Sequence, residues 1–196
     1  MVTKIIIGLG NPDEEYQNTR HNIGFSFIDY LANPSTKLGA GKKDFDEFEM
    51  NKKLNALIAK GKITKMPIVL VKPLSFVNKT GEVAAKLKNF SKAKAENFIL
   101  AQDDLDIDFG NFKLSFDKNS GGHKGVESVI KSLKTKKFHR IRFGISSPAL
   151  KKARRQSDKF RDKFVMDFVL SKFGKKEDEA LKSLFKSAGE RLSEIF

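Results

Sequence analysis

The chain has 196 residues, with no cysteine, no tryptophan, and only three histidines and two tyrosines. Without cysteine there can be no disulfide, no thiolate metal site and no Cys–His nucleophile, and a reducing compartment suits such a chain. No GxSxG elbow occurs, so the Ser–His hydrolase signature is missing too. No apolar run approaches the length of a bilayer span, and the short one at the start is followed by no small-residue cleavage site. A cytoplasmic protein with no membrane association is expected. Acid is also scarce: 24 Asp and Glu stand against 38 Lys and Arg, a formal charge of +14. Solvated lysine faces are the plain reading of that surplus. It exceeds what solubility requires, however, and points to a polyanionic partner such as nucleic acid.

What is present is an alternation of strand and helix patterns. Residues 4–9 are an isoleucine-rich run closed by glycine at Gly10, the mark of a central parallel strand buried on both faces. Gly8 and Gly10 allow tight turning and close backbone approach there. Asp13 occupies the place of a third glycine, so a dinucleotide fingerprint is not completed. Residues 22–32 carry apolar positions at helical spacing (Phe25, Ile28, Leu31, Ala32), and residues 34–50 read as a loop. Residues 54–59 and 68–71 predict a hairpin. Thr80 reads as the cap of a helix with Val83, Ala84, Leu87 and Phe90 on its buried side. Residues 98–101 are another short buried strand, 110–116 alternate as a strand, and 117–122 are a polar loop. His123 opens a third helix with Val126, Val129, Ile130 and Leu133 on one face, and 140–145 are strand-like. Residues 148–163 are densely basic with little apolar periodicity, which predicts a mobile loop or a short exposed helix that could clamp nucleic acid. From Glu177 onward, Leu181, Leu184, Phe185, Ala188, Leu192 and Ile195 repeat as a terminal helix. The expected architecture is α/β: one domain over residues 1–196, with a mixed, mostly parallel twisted sheet and helices on both faces.

Four polar residues fall at strand ends or loops: Asn11, His21, Asn78 and Asp103. In an open α/β sheet such loops share one rim. Histidine titrates near neutrality, a carboxylate beside it orients it and favours its protonated form, and asparagine amides can bind carbonyls or an oxyanion. Each has a plainer reading, His21 as a helix cap and the asparagines as turn residues. Asp104, Asp106 and Asp108 have the spacing of a calcium loop, but Phe109 and Ser115 stand where its glycine and bidentate glutamate belong. No metal site is expected. His123 reads as a turn residue beside Gly121 and Gly122, and His139 as a structural strand residue.

The segments GLGNPDEEYQNTRHNIGF, KPLSFVNKTG, DDLDIDFG and SGGHKG, in that order, resemble the bacterial peptidyl-tRNA hydrolases. The resemblance runs from residue 1 to about residue 145 and returns more weakly at residues 168–173. It implies a cofactor-free monomer that cleaves the ester between a peptide and the 3′ end of tRNA. It implies roles for His21 as the catalytic histidine and Asp103 as its support. Asn11 and Asn78 would hold substrate, Tyr16 and Asn22 would line the cleft, and Lys113 and Arg142 would grip a tRNA phosphate. Two positions depart from the family pattern. Val77 replaces a methionine at the cleft floor, and Lys124 replaces an asparagine beside the substrate. A lysine pointing inward would lower the His21 pKa by like-charge repulsion. Such a change keeps open a second expectation, a catalytically idle RNA-binding relative similar to an intron-splicing factor. No DNA partner is expected.

Overall fold

The computed structural model describes residues 3–35 and 43–194. The isoleucine run forms β1 (Lys4–Gly8), and a 3-10 turn at Arg20–Asn22 leads into α1 (Ile23–Ala32). Two short strands follow, β2 (Lys43–Phe45) and β3 (Glu49–Asn51), then the hairpin β4 (Ala56–Ile63) and β5 (Met66–Pro73). A 3-10 turn at Val77–Lys79 enters α2 (Thr80–Ser91). Next come β6 (Phe98–Asp108), β7 (Phe112–Phe116), α3 (Lys124–Leu133) and β8 (His139–Ser146). Three helices close the chain: α4 (Pro148–Ala153), α5 (Asp158–Leu170) and α6 (Asp178–Glu194).

The strands form one mixed sheet in the order β2-β4-β5-β1-β6-β8-β7, with β3 also paired to β4. Its centre, β5-β1-β6-β8, is parallel, and antiparallel strands flank it on both sides. Alternation along the central strands splits the core in two. Ile6, Ile99 and Ala101 face α1 and α6, where Phe27, Leu31, Phe185 and Leu192 are buried. Ile5, Ile7, Phe98 and Leu100 face α2 and α3, against Val83, Leu87, Val126 and Val129. Both faces are covered, so these strands read as continuous apolar runs rather than as alternating ones.

Several expectations change. Residues 36–42 of the expected loop, and Ile195 of the terminal helix, lie outside the described residues. The remainder of the loop supplies β2 and β3. They are mostly polar, and pairing such as Glu49 opposite Ile58, rather than apolar alternation, makes them strands. Thr80 starts α2 instead of capping it, its hydroxyl donating to the Val77 carbonyl at 2.8 Å. Phe90, in the last turn of α2, is 77% exposed. The strand expected at residues 98–101 continues to Asp108, because β8 offers matched partners as far as Gly144 opposite Asp104. The basic stretch forms α4, capped by the Ser147 hydroxyl accepting from the Leu150 amide at 3.2 Å, and the first part of α5. Gly8 and Gly10 are absent from the glycines with positive φ, so turning is not their purpose. A side chain on Gly8 would lie 2.7 Å from the Gly24 carbonyl, and it is this close approach of α1 to β1 that seats the preceding turn on the sheet.

Candidate active site

β6 runs beyond its neighbour. Gly8, the last residue of β1, lies opposite Ala101, so Asp103 projects past the end of β1. The space beside it is filled by the loop that leaves β1. Asn11 and Asn22 lock this loop: the Asn11 amide donates to Asn22 Oδ1 and Asn22 Nδ2 donates to the Asn11 carbonyl, both at 2.9 Å. Asn11 Oδ1 in turn accepts from the Val77 amide at 2.9 Å, tying in the next strand-end turn. His21, between these locks, brings Nδ1 to 2.8 Å from Asp103 Oδ1.

A second imidazole reaches the same oxygen. His123 Nε2 lies 3.0 Å from Asp103 Oδ1, and the two rings stack with centroids 5.2 Å apart. His123 is the N-cap of α3, where its Nδ1 accepts from the Gly125 amide at 3.1 Å. That bond fixes the tautomer: the lone pair sits on Nδ1 and the proton on Nε2, facing the carboxylate. Val77 sits against this corner, its Cγ2 within 2.7 Å of where a Gly125 Cβ would be. The plain turn role expected of His123 is therefore incomplete. The doubled glycine ahead of a helix start was the available signal for it.

Asp103 is 3% exposed. Burial pushes its carboxyl pKa up, but the two histidines, through charge and hydrogen bonding, more than reverse this and hold it well below the usual carboxylate range. For His21, burial pulls the imidazole down, while the charge and hydrogen bond of Asp103 pull it up, and the net direction is upward. Lys124 is exposed on the first turn of α3 and is not among the causes of that shift. His21, Asp103 and His123 gather their potential ligand atoms within 4.8 Å, the one such group among the described residues. Both imidazoles spend these atoms on a single carboxylate oxygen, an arrangement that a metal ion would have to break.

The other expected residues surround this centre. Asn78 is exposed on the Val77–Lys79 turn. Tyr16 meets Phe76 edge-on at 6.1 Å, joining the β1 loop to that turn. Lys113 and Arg142 lie directly opposite each other on β7 and β8, and Arg142 donates to Asp104 at 2.7 Å. His139 packs on Phe116 with ring centroids 4.8 Å apart.

Arg20, to which no sequence reading assigned a role, ties the His21 turn to the segment between α5 and α6. Its guanidinium donates twice to Glu177, at 2.9 and 3.0 Å, and lies between the Phe168 and Phe173 rings at 4.9 and 4.8 Å. Its amide donates to the Ser171 carbonyl at 2.9 Å, and the Phe173 amide donates to the Asn18 carbonyl at 3.0 Å. A cavity of about 990 Å³ lies at the opposite end of the sheet, lined by Thr3 and Ile5 of the β1 end, Pro67, Leu87 and Phe90. It contains none of the expected site residues. Convergent polar groups, rather than volume, mark the candidate site.

A model of the peptidyl-tRNA hydrolase family matches residues 5–196. The peptidyl-tRNA hydrolase of Clostridium botulinum (strain Alaska E43 / Type E3) is 34% identical over 191 residues, covering 97% of this chain and 88% of its own. That of Aquifex aeolicus is 35% identical over 188 residues, covering 96% and 87%. The crystal structure of a peptidyl-tRNA hydrolase with N-propanol superposes with a TM-score of 0.78 at 28% identity, covering 98% of this chain and 89% of that one. The peptidyl-tRNA hydrolase of Acinetobacter baumannii gives 0.78 at 26% identity, covering 97% and 87%.

Proposed function

The chain belongs to the peptidyl-tRNA hydrolase family, and from this we propose that it hydrolyses the ester joining a peptide to the 3′ end of tRNA, with His21 as general base. The observation that carries the role of His21 is the 2.8 Å contact of its Nδ1 with the buried Asp103. With Nδ1–H donated to the carboxylate, the Nε2 lone pair is left to take a proton from water. The resulting hydroxide adds to the ester carbonyl. The oxyanion so formed needs donors, and the exposed Asn78 amide and the NH₂ of Asn11, whose oxygen is already engaged, are suited to it. Collapse breaks the bond to the tRNA 3′ oxygen, which takes the proton back from His21, and a peptide carboxylate and free tRNA leave. No cofactor enters this sequence.

His123 holds the second lone pair of Asp103 Oδ1 and keeps the carboxylate facing His21. Tyr16, Asn22 and Val77 shape the cleft wall, and Lys113 and Arg142, side by side, suit a terminal phosphate. Lys124 is exposed at the first position of α3, next to His123. We read residues 1–196 as one unit, since both core clusters share one sheet, acting as a cytoplasmic monomer on peptidyl-tRNA. No helix of the described residues is long and apolar enough to cross a membrane.

Single-turnover hydrolysis of an N-acetylated aminoacyl-tRNA tests the reading, with the unblocked aminoacyl-tRNA and His21→Ala as controls. Cleavage of the blocked substrate alone, lost in the variant, is expected. Retained tRNA binding with no cleavage by the wild-type protein would favour the idle RNA-binding relative instead.

A further inference from the structure

α5 differs from the other long helices in that none of its residues is buried. Yet it is not a polar helix. Phe160, Phe164 and Phe168 recur every four residues, so they form one stripe. Their rings follow one another with centroids 6.2 Å apart at both steps and interplanar angles of 28° and 14°. Phe160, at the outer end, is 54% exposed. Phe164 and Phe168 are half-buried, and Phe168 packs against the core at the inner end; the outer part of the series loses hydrophobic stabilisation unless something covers it.

The two ends of the stripe indicate what that is. The inner end is Phe168, whose ring carries the Arg20 guanidinium, and Arg20 precedes His21. The outer end follows α4 and its turn, where Lys151, Lys152, Arg154 and Arg155 are clustered. Lys151 and Arg154 are paired with Asp108 and Asp106, and Lys152 and Arg155 are exposed. α5 itself is balanced, with Lys159, Arg161 and Lys163 against Asp158, Asp162 and Asp167. Phosphate attraction is thus concentrated at the outer end, the reactive histidine lies at the inner end, and about 12 Å of aromatic surface joins them. A basic patch followed by stacking rings is how single-stranded nucleic acid is held, since every base has a face to stack and the backbone is drawn to the cations.

We propose that the Phe160–Phe164–Phe168 stripe of α5 is a stacking surface for the unpaired 3′ nucleotides of the RNA, leading them from the basic turn to His21. This rests on the hydrolase reading above and names the part of the substrate that α5 holds. The ester lies at the very 3′ end, so the nucleotides before it have to cross the surface beside His21, and the stripe provides a path.

The test uses an RNA hairpin with an unpaired 3′ tail carrying 2-aminopurine, together with the same hairpin made blunt. The wild-type protein is expected to quench the tail fluorescence and to bind the tailed RNA more tightly. Phe160→Ala and Phe164→Ala should each weaken tailed-RNA binding by about tenfold and leave blunt-RNA binding as it was. Phe160→Tyr should restore it, and Phe160→Leu, apolar without a π face, should not. In turnover of N-acetylaminoacyl-tRNA the loss should appear in KM. Equal binding of tailed and blunt RNA by the wild type, or alanine variants that bind the tail normally, would overturn the proposal. So would a loss that grows with the length of the attached peptide, which would assign the stripe to the peptide. Tail quenching by a wild-type protein that cleaves nothing would sink the hydrolase reading and leave the stacking surface standing.

Discussion

The middle and the far end of one strand carry aspartates with opposite fates. Asp103 on β6 has a side chain 4% exposed and accepts from two imidazoles. Asp106 and Asp108, a few residues further along, each have side chains 60% exposed and pair with Arg154, the C-cap of α4, and with Lys151 of α4 at 2.6 and 2.5 Å. The distances alone would rank the outer pairs as the stronger. Solvent reverses that order. An exposed pair is screened and worth about 0–1 kcal/mol, whereas removing one partner of a buried, hydrogen-bonded charge costs about 3–5 kcal/mol. The inner aspartate holds two imidazoles together, and the outer ones position the basic helix, after which the phenylalanine stripe begins.

The contrast is broken most completely at the inner end. His21→Ala removes the proposed base and is expected to lower kcat by roughly a hundred- to ten-thousandfold with intact folding by circular dichroism; residual activity within threefold of wild type would rule His21 out. Asp103→Asn has a subtler signature. It removes the charge that raises the His21 pKa and leaves burial, which lowers it. The acid limb of the pH–rate profile, above the ordinary imidazole value in the wild type, should therefore move to lower pH even as the rate falls. An NMR titration of His21 in both proteins measures this directly, and an upward move would contradict the electrostatic account.

His123→Ala deletes a helix cap and one donor to Asp103, and should destabilise the fold by about 1–3 kcal/mol in urea unfolding. At the outer end, Lys152→Gln with Arg155→Gln should change stability little. If both cations meet phosphate, the slope of log affinity against log salt should fall by about two for tRNA; an unchanged slope would place the RNA elsewhere. The smallest effect is expected of Lys124→Asn. Lys124 is exposed, and burial and Asp103 account for the direction of the His21 shift, so the acid limb should stay in place.

The inner cluster also sets opposing pH dependences. The raised His21 pKa stabilises the fold fully below the unfolded imidazole value, about 6.5, and that contribution is lost as pH rises through the folded value. The depressed Asp103 pKa acts the other way: its stabilisation is present above the unfolded carboxylate value, about 3.9, and is lost as pH falls below it. Deprotonating His21 thus gives up stability as it creates the proposed base. A Tm profile that rises steadily through neutral pH would contradict this.

Much of this was legible in the residues themselves. β1 follows from a continuous apolar run, because both its faces are covered; the β4–β5 hairpin follows from two short apolar runs around a polar turn, and α1, α3 and α6 from apolar periodicity, because a helix buried on one side repeats its side chains at the period of its own backbone. Four ordered motifs sufficed for the family, and with it the pairing of His21 and Asp103 as candidates. β2 and β3 were not legible, since their order comes from the edge of β4 rather than from their own side chains. Nor was the length of β6, set by its partner β8.

The chain alone therefore determined which residues have the chemistry: an imidazole, a carboxylate and amides at loops, a basic stretch, and no thiol. Tertiary structure alone decided which of them act together. His123 looks like a turn residue until α3 carries it to the oxygen that His21 already holds. Arg20 has no visible purpose until a glutamate 157 positions away closes on it. Local periodicity is written in one dimension by backbone geometry. Burial, and the strength it lends to a charge, arise only when distant segments exclude water from the same place.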